Sequence, residues 1–262
     1  MCGIAGFINI NNNPIKNLEK KLEVMNIILN HRGPDGKGFW WNSRRTVGFS
    51  HNRLKIIDIV TGGQPMISDY GNVIVFNGEI YNYIELKKEL GEKKFKTNSD
   101  TEVILKAYEK WGIECPRYLR GMFAFAIFDK KKNTLFCARD RFGIKPFFYT
   151  LSSNGDFIFA SEPKALLPFL SNIETNLQAL HEYLIFQFLI GDKTLFKEIK
   201  QVPAAYYLQI KNDNIQTKKY WEVQYKLYPY SLSLQQYDLT RGRKMWFYSI
   251  PAYVNRRTSN PT

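Results

Sequence analysis

A cysteine directly behind the initiator methionine constrains this chain more than any other feature. The opening Met1-Cys2-Gly3-Ile4-Ala5-Gly6-Phe7 offers an unusual option. Once Met1 is removed, one residue carries both a thiol and a free α-amino group. An α-amine titrates near about pH 8, so it can take and return a proton under cellular conditions. The thiol starts near about 8.5 and is a strong nucleophile when ionised. Nucleophile and base then sit in a single residue, and Cys is small enough to permit methionine removal. The apolar run from Ile4 to Ile10 reads as a buried strand that carries the N-terminus inward. Taken alone, the dipeptide better fits an ordinary buried cysteine near a strand start; the residues downstream reverse that balance.

The 262 residues suffice for one large domain or two small ones, and 44% hydrophobic with 15% aromatic content predicts a folded, soluble protein. No apolar run approaches the length of a membrane span, and no basic segment with a following apolar stretch marks a secretory signal. Cys2, Cys115 and Cys137 are the three cysteines; they make no disulfide framework, and no CxxC or His-rich pattern predicts a metal. A reducing cytoplasm is the expected location and would keep Cys2 free. The net charge of +13 comes from scattered lysines such as Lys20-Lys21 and Lys130 to Lys132. They are not interleaved with aromatics along one face, so neither nucleic acid nor membrane is an expected partner.

Along the chain, Leu18, Leu22, Met25 and Leu29 recur at helical spacing. A loop at His31-Arg32-Gly33-Pro34-Asp35-Gly36 follows, then strands at Thr46 to His51 and Val73 to Phe76, the second ending abruptly in Asn77-Gly78-Glu79. Helices are predicted around Tyr83 to Leu90 and Thr101 to Trp111, the latter opening with the capping-box pattern Ser99-Asp100-Thr101-Glu102. Strands at Phe123 to Asp129, Leu135 to Arg139, Phe147 to Leu151 and Phe157 to Ala160 come next. Short helices near Pro163 to Phe169 and Leu177 to Phe186 and a hairpin about Tyr206 to Thr217 complete the pattern. Many strands with helices between and after them predict stacked sheets covered by helices. From about Lys226 the periodicity stops, and residues 226–262 read as a basic tail without recognisable chemistry.

If Cys2 attacks a carbonyl, the site needs an oxyanion hole and a substrate clamp. The Asn77-Gly78 pair can donate from a side-chain amide and from a backbone N–H that no Cβ shields; it also fits a simple turn. Arg53 can bind a carboxylate bidentately or form a surface ion pair. Asp100 can hold an ammonium or simply be a first-turn helix acid. One positive and one negative clamp suit the zwitterionic end of an amino acid.

Taken in order, Met1 to Gly6, His31 to Asp35, Arg53 to Asp58, Asn77-Gly78-Glu79-Ile80-Tyr81-Asn82 and Ser99 to Glu102 resemble the motifs of class II glutamine amidotransferase domains. Arg120 to Phe125 and Arg139-Asp140 to Pro146 continue the match, which covers roughly residues 1–225. The stretch is most similar to the N-terminal glutaminase half of glutamine-hydrolysing asparagine synthetase. The resemblance implies an α+β, four-layer αββα N-terminal-nucleophile sandwich of two antiparallel sheets. It also implies roles: Cys2 as nucleophile, Asn77 and Gly78 as oxyanion donors, Arg53 on the substrate carboxylate, Asp100 and Glu79 on its α-amino end, and Ile57 lining the pocket through its backbone. Glutamine is the implied substrate, and its hydrolysis needs no cofactor.

In such synthetases ATP and magnesium belong to a second domain, with a Ser-Gly-Gly-x-Asp-Ser loop. This sequence has no such loop, its one Gly-Gly pair being Gly62-Gly63. A truncated or frame-shifted gene, or a split enzyme with a separate synthetase subunit, is the corresponding expectation. The alternatives are the ammonia-supplying domain of a sugar-phosphate or phosphoribosyl amination system, and a non-catalytic binding or regulatory remnant.

Overall fold

In β1 (Gly3–Asn9), side chains alternate between two faces, as the twofold period of a strand requires. Ile4 and Ile8 pack into one apolar cluster, Ala5 and Phe7 into another. That division organises the molecule. The computed structural model describes residues 1–58, 61–211 and 214–224, and the chain divides into two units, Met1–Glu222 and Val223–Thr262. Every element below belongs to the first unit. The tail expected at 226–262 lies outside the described residues.

The strands after β1 are β2 (Gly36–Trp41), β3 (Val47–Arg53), β4 (Met66–Ile67), β5 (Val73–Ile80), β6 (Gly121–Asp129) and β7 (Thr134–Arg139). Then come β8 (Phe148–Leu151), β9 (Asp156–Ala160), β10 (Lys200–Gln201), β11 (Tyr206–Lys211) and β12 (Asn214–Lys219). One sheet has the order β10-β8-β9-β1-β3-β2 and the other β12-β11-β7-β6-β5-β4. The pairings between these strands are antiparallel.

The helices are α1 (Leu18–Ile28), α2 (Tyr83–Leu90), α3 (Asp100–Trp111) and α4 (Leu177–Phe186). Helix α1 lays Leu18, Leu22 and Met25 over Ala5 and Phe7 on the outer face of the first sheet. Helices α2 and α3 cover the second sheet through Leu86, Val103 and Ile104 against Ile74, Phe76 and Phe125. Between the sheets lie Ile4, Ile8, Val47 and Phe49 from one side and Val73, Val75, Ala124 and Ala126 from the other. The result is the αββα sandwich, four layers deep.

Three local readings need correction. Strand β5 does not stop at Phe76 but runs through Asn77, Gly78 and Glu79 to Ile80, because Asn77 pairs with Ala124 and Gly78 with Phe123. The edge strand β2, half-buried and alternating, has no sequence signal of its own and is held by β3. In the expected capping box Ser99 Oγ does accept from Thr101 N–H at 3.2 Å. Glu102, however, accepts from the N–H groups of Lys96 and Thr97 and does not return to Ser99. The segment Pro163 to Phe169 forms two 3₁₀ turns.

Candidate active site

Strand parity gathers the site. Cys2 precedes β1 on the parity of Ile4 and Ile8; His51 and Arg53 share the parity of Val47 and Phe49; Asn77 shares that of Val73 and Val75. All four are thereby assigned to the space between the sheets, at one end. Gly3 pairs with Asn52, which brings Cys2 beside Arg53 and Leu54. The seven residues predicted for the site, Cys2, Arg53, Ile57, Asn77, Gly78, Glu79 and Asp100, all line one cavity. It measures about 50 Å³, and Met1 and Lys145 are also in its wall. An opening of about 310 Å³ lies at the other end of β1, around Ile8, Asn9 and Lys211, away from Cys2.

The Cys2 thiol is partly buried. Leu54 N–H donates to its Sγ at 3.4 Å, and Sγ lies 3.6 Å from the Leu54 carbonyl. Burial pushes the thiol's pKa up, while the Leu54 contact, the N-terminal charge and Arg53 pull it down and Asp100 opposes them. The backbone of Cys2 is pinned as well: Arg32 Nε donates to its carbonyl at 3.0 Å, and Arg32 Nη1 donates to Glu162 at 2.7 Å. Burial disfavours the Glu162 carboxylate, yet bonds from Arg32, His31 and Lys164 outweigh it and hold its pKa at about 2.

Asn77 carries the most telling feature. It is 1% exposed, and neither Nδ2 nor Oδ1 has a hydrogen-bond partner among the described residues. An unmet buried amide costs roughly 1–3 kcal/mol per group, so folding alone does not account for it. Gly78 sits next to it under a tight steric limit. A Cβ there would meet the Met122 carbonyl at 2.1 Å and Phe123 Cα at 2.7 Å. Its N–H lies on the strand edge shared by Phe76 N–H, which donates to Gln64 Oε1 at 2.7 Å, and Ile80 N–H, which donates to Asp100 Oδ2 at 3.0 Å.

Asp100 is 4% exposed at the start of α3. Burial first, and Glu79 in addition, push its carboxyl up to about 6, against the N–H groups of Ile80 and Thr101. Arg53 Nη2 donates to the carbonyls of Ile57, at 3.4 Å, and Asp58. Ile57 therefore offers its backbone to Arg53. Gly62 makes room for that guanidinium, since a Cβ there would fall 2.6 Å from Nη2.

Leu54 and Lys145 also line the cavity, Arg32 holds the Cys2 carbonyl and His51 bonds the strand that carries Asn77; the sequence alone assigns none of the four a role. Arg32, Leu54 and Lys145 stand inside motifs that serve only as matches. His51 is legible as the inward neighbour of Arg53 at spacing two.

Two face-to-face antiparallel sheets between helices, with a cysteine just before a central strand, make up the fold of class II glutamine amidotransferase domains. A family model described as a glutamine amidotransferase domain matches residues 1–221, and the chain belongs to that family. It is 42% identical over 233 residues to asparagine synthetase [glutamine-hydrolyzing] 1 of Bacillus subtilis, covering 86% of this chain and 36% of that protein. It is 33% identical over 237 residues to amidase chry2 of Gibberella zeae, covering 86% of this chain and 35% of that one. The chain thus spans about a third of the length of these relatives. Among solved structures, glutamine phosphoribosylpyrophosphate amidotransferase from B. subtilis shares the fold, with a TM-score of 0.58 at 18% identity over 84% of this chain and 49% of that one. Among the described residues, no helix is long and apolar enough to cross a membrane.

Proposed function

We propose that this chain hydrolyses glutamine to glutamate and ammonia as the glutaminase part of an asparagine-synthetase-type amidotransferase. The observation that carries the reading is Asn77: a buried amide with both polar atoms unmet, lining the same cavity as Cys2. An idle fold has no use for that cost.

The first step is loss of Met1. With Met1 in the wall, the cavity of about 50 Å³ is far below the roughly 300 Å³ or more of ordinary small-molecule sites. The freed Cys2 thiol then attacks the side-chain amide carbon of glutamine, and its proton passes to the α-amine. Asn77 Nδ2 and the Gly78 N–H stabilise the tetrahedral oxyanion. The α-amine hands the proton to the leaving nitrogen, ammonia departs, and a thioester remains. Water attacks the thioester, giving glutamate and regenerating the thiol. Arg53 binds the substrate carboxylate, and Asp100 with Glu79 binds its ammonium. Ile57 holds the Arg53 guanidinium through its carbonyl.

Hydrolysis by this route uses no cofactor. ATP and magnesium would serve a synthetase region, in a longer polypeptide or a separate subunit, that consumes the ammonia. A reducing cytoplasm suits a free Cys2. The test is glutamate release by purified protein whose intact mass confirms loss of Met1, beside Cys2→Ala. Turnover in the parent and none in Cys2→Ala is the expected result; equal turnover in both refutes the mechanism.

A further inference from the structure

Lys145 is 5% exposed, and its Nζ has one hydrogen-bond partner among the described residues, Met1 Sδ at 3.1 Å. A thioether is a weak acceptor, so this buried ammonium is poorly satisfied. Removal of Met1 takes even that contact away and leaves the ammonium in the wall of the cavity that Cys2 also lines.

The segment carrying Lys145 is firmly held. The Asp140 carboxylate accepts from the N–H groups of Phe142, Ile144 and Lys145 within the segment, at 3.1, 3.0 and 2.9 Å. It also accepts from Phe123 on β6 at 3.1 Å, and Arg139 Nε donates to the Lys145 carbonyl at 2.8 Å. The charge is therefore presented to the cavity by a fixed backbone.

The charged neighbours of Lys145 come from several elements: Glu79 on β5, Arg32 after α1, Asp140 on its own segment, and the Cys2 thiol. Around Cys2 stand the N-terminal amine, Arg53 on β3 and Asp100 on α3. Glu79 and Asp100 are the two carboxylates assigned to the substrate ammonium. When glutamine neutralises them, the Lys145 charge acts on Cys2 with less opposition.

We infer that Lys145 is a positioning residue acting through Cys2: with Met1 gone, its ammonium disfavours protonation of the Cys2 α-amine and favours the thiolate and the anionic adduct. A like charge nearby destabilises the ammonium form of the amine, and an opposite charge stabilises the ionised thiol. The inference rests on the N-terminal-cysteine reading above. Burial lowers the proton affinity of Lys145 itself, and Glu79 counters that most strongly.

The experiment uses Met1-free protein, verified by intact mass, in parent, Lys145→Met and Lys145→Arg forms. Alkylation of Cys2 by iodoacetamide is followed by mass against pH, with glutamate release measured in parallel. Cys115 and Cys137 are 0% exposed and stay silent. In Lys145→Met the alkylation midpoint moves up by about one pH unit, and the acidic limb of kcat/KM moves the same way. KM for glutamine changes less than about twofold, and Lys145→Arg tracks the parent. Should Lys145→Met fail to fold, Lys145→Gln carries the same comparison. A folded neutral variant with the parent's midpoint and limb overturns the inference, as does an equal shift in Lys145→Arg. Parent protein that alkylates with the Lys145 dependence yet releases no glutamate defeats the glutaminase reading alone. Normal turnover with no shift defeats this inference alone.

Discussion

His51 Nε2 donates to the backbone carbonyl of Phe76 at 3.2 Å, joining the strand beside Cys2 to the strand that carries Asn77. The bond crosses from one sheet to the other, 1% exposed on the histidine side. Because a carbonyl accepts there, Nε2 bears the proton in the neutral ring, and Nδ1 has no partner among the described residues.

Acid should destabilise the fold here through the buried ring, since a protonated His51 still donates to Phe76 but carries a charge that burial disfavours. Burial lowers the His51 pKa from 6.5 to about 4, so between those values the unfolded chain binds the extra proton. Stability is full above pH 6.5 and falls as pH drops toward 4. Between neutral pH and about pH 5 this group should cost about 2 kcal/mol in urea unfolding. His51→Gln keeps a donor without a titrating ring and should flatten that slope; an unchanged slope contradicts the assignment.

Asp100 runs the other way. Its folded pKa of about 6 lies above the ordinary 3.8, so the native state binds the proton more tightly in that window. Stability falls as pH rises through it, and above it the buried carboxylate is a standing cost. Asp100→Asn keeps an oxygen for Ile80 N–H and should gain on the order of 2 kcal/mol at neutral pH. The same change should raise KM for glutamine about tenfold or more through loss of the ammonium clamp. In the parent, KM should climb as pH falls below about 6. Lower thermal stability with unaltered KM would sink this account.

Asn77→Ala separates chemistry from folding. Losing an oxyanion donor costs about 10²–10³ in kcat, with KM altered much less. Removing two unmet buried polar atoms should leave thermal stability equal or higher. A folded variant retaining more than about a tenth of parental kcat would exclude Asn77 from the oxyanion hole.

Gly78→Ala tests the close approach of β5 to β6. With a Cβ 2.1 Å from the Met122 carbonyl, the strands must part. A loss of about 2–4 kcal/mol, or no folded protein, is expected in thermal melts. An unaltered melting temperature would show that the backbone relaxes freely at this point.

Local chemistry made much of the molecule legible. Leu18, Leu22 and Met25 announced α1 because helical spacing puts them on one face, and all three are buried against the first sheet. The strand after Cys2 followed from residue type and order, which also put Arg53 and Asp100 forward as a candidate basic and acidic clamp. Where neighbours in space decide, the reading stopped short. Asn77-Gly78 looks like a turn, yet Ala124 and Phe123 hold it in a strand. The partners of Glu102 lie in the loop before α3, outside the capping pattern.

The order of residues thus pointed to Cys2 as the candidate nucleophile, to stacked sheets covered by helices and to the chemical kinds gathered around Cys2, since these depend on periodicity and side-chain type. The unmet Asn77 amide, the His51–Phe76 bond and the Lys145 ammonium beside Met1 are tertiary facts. Lys145 meets Met1 from 144 residues away. Such contacts, and the burial that shifts the charges around them, exist only after two sheets close over a shared space.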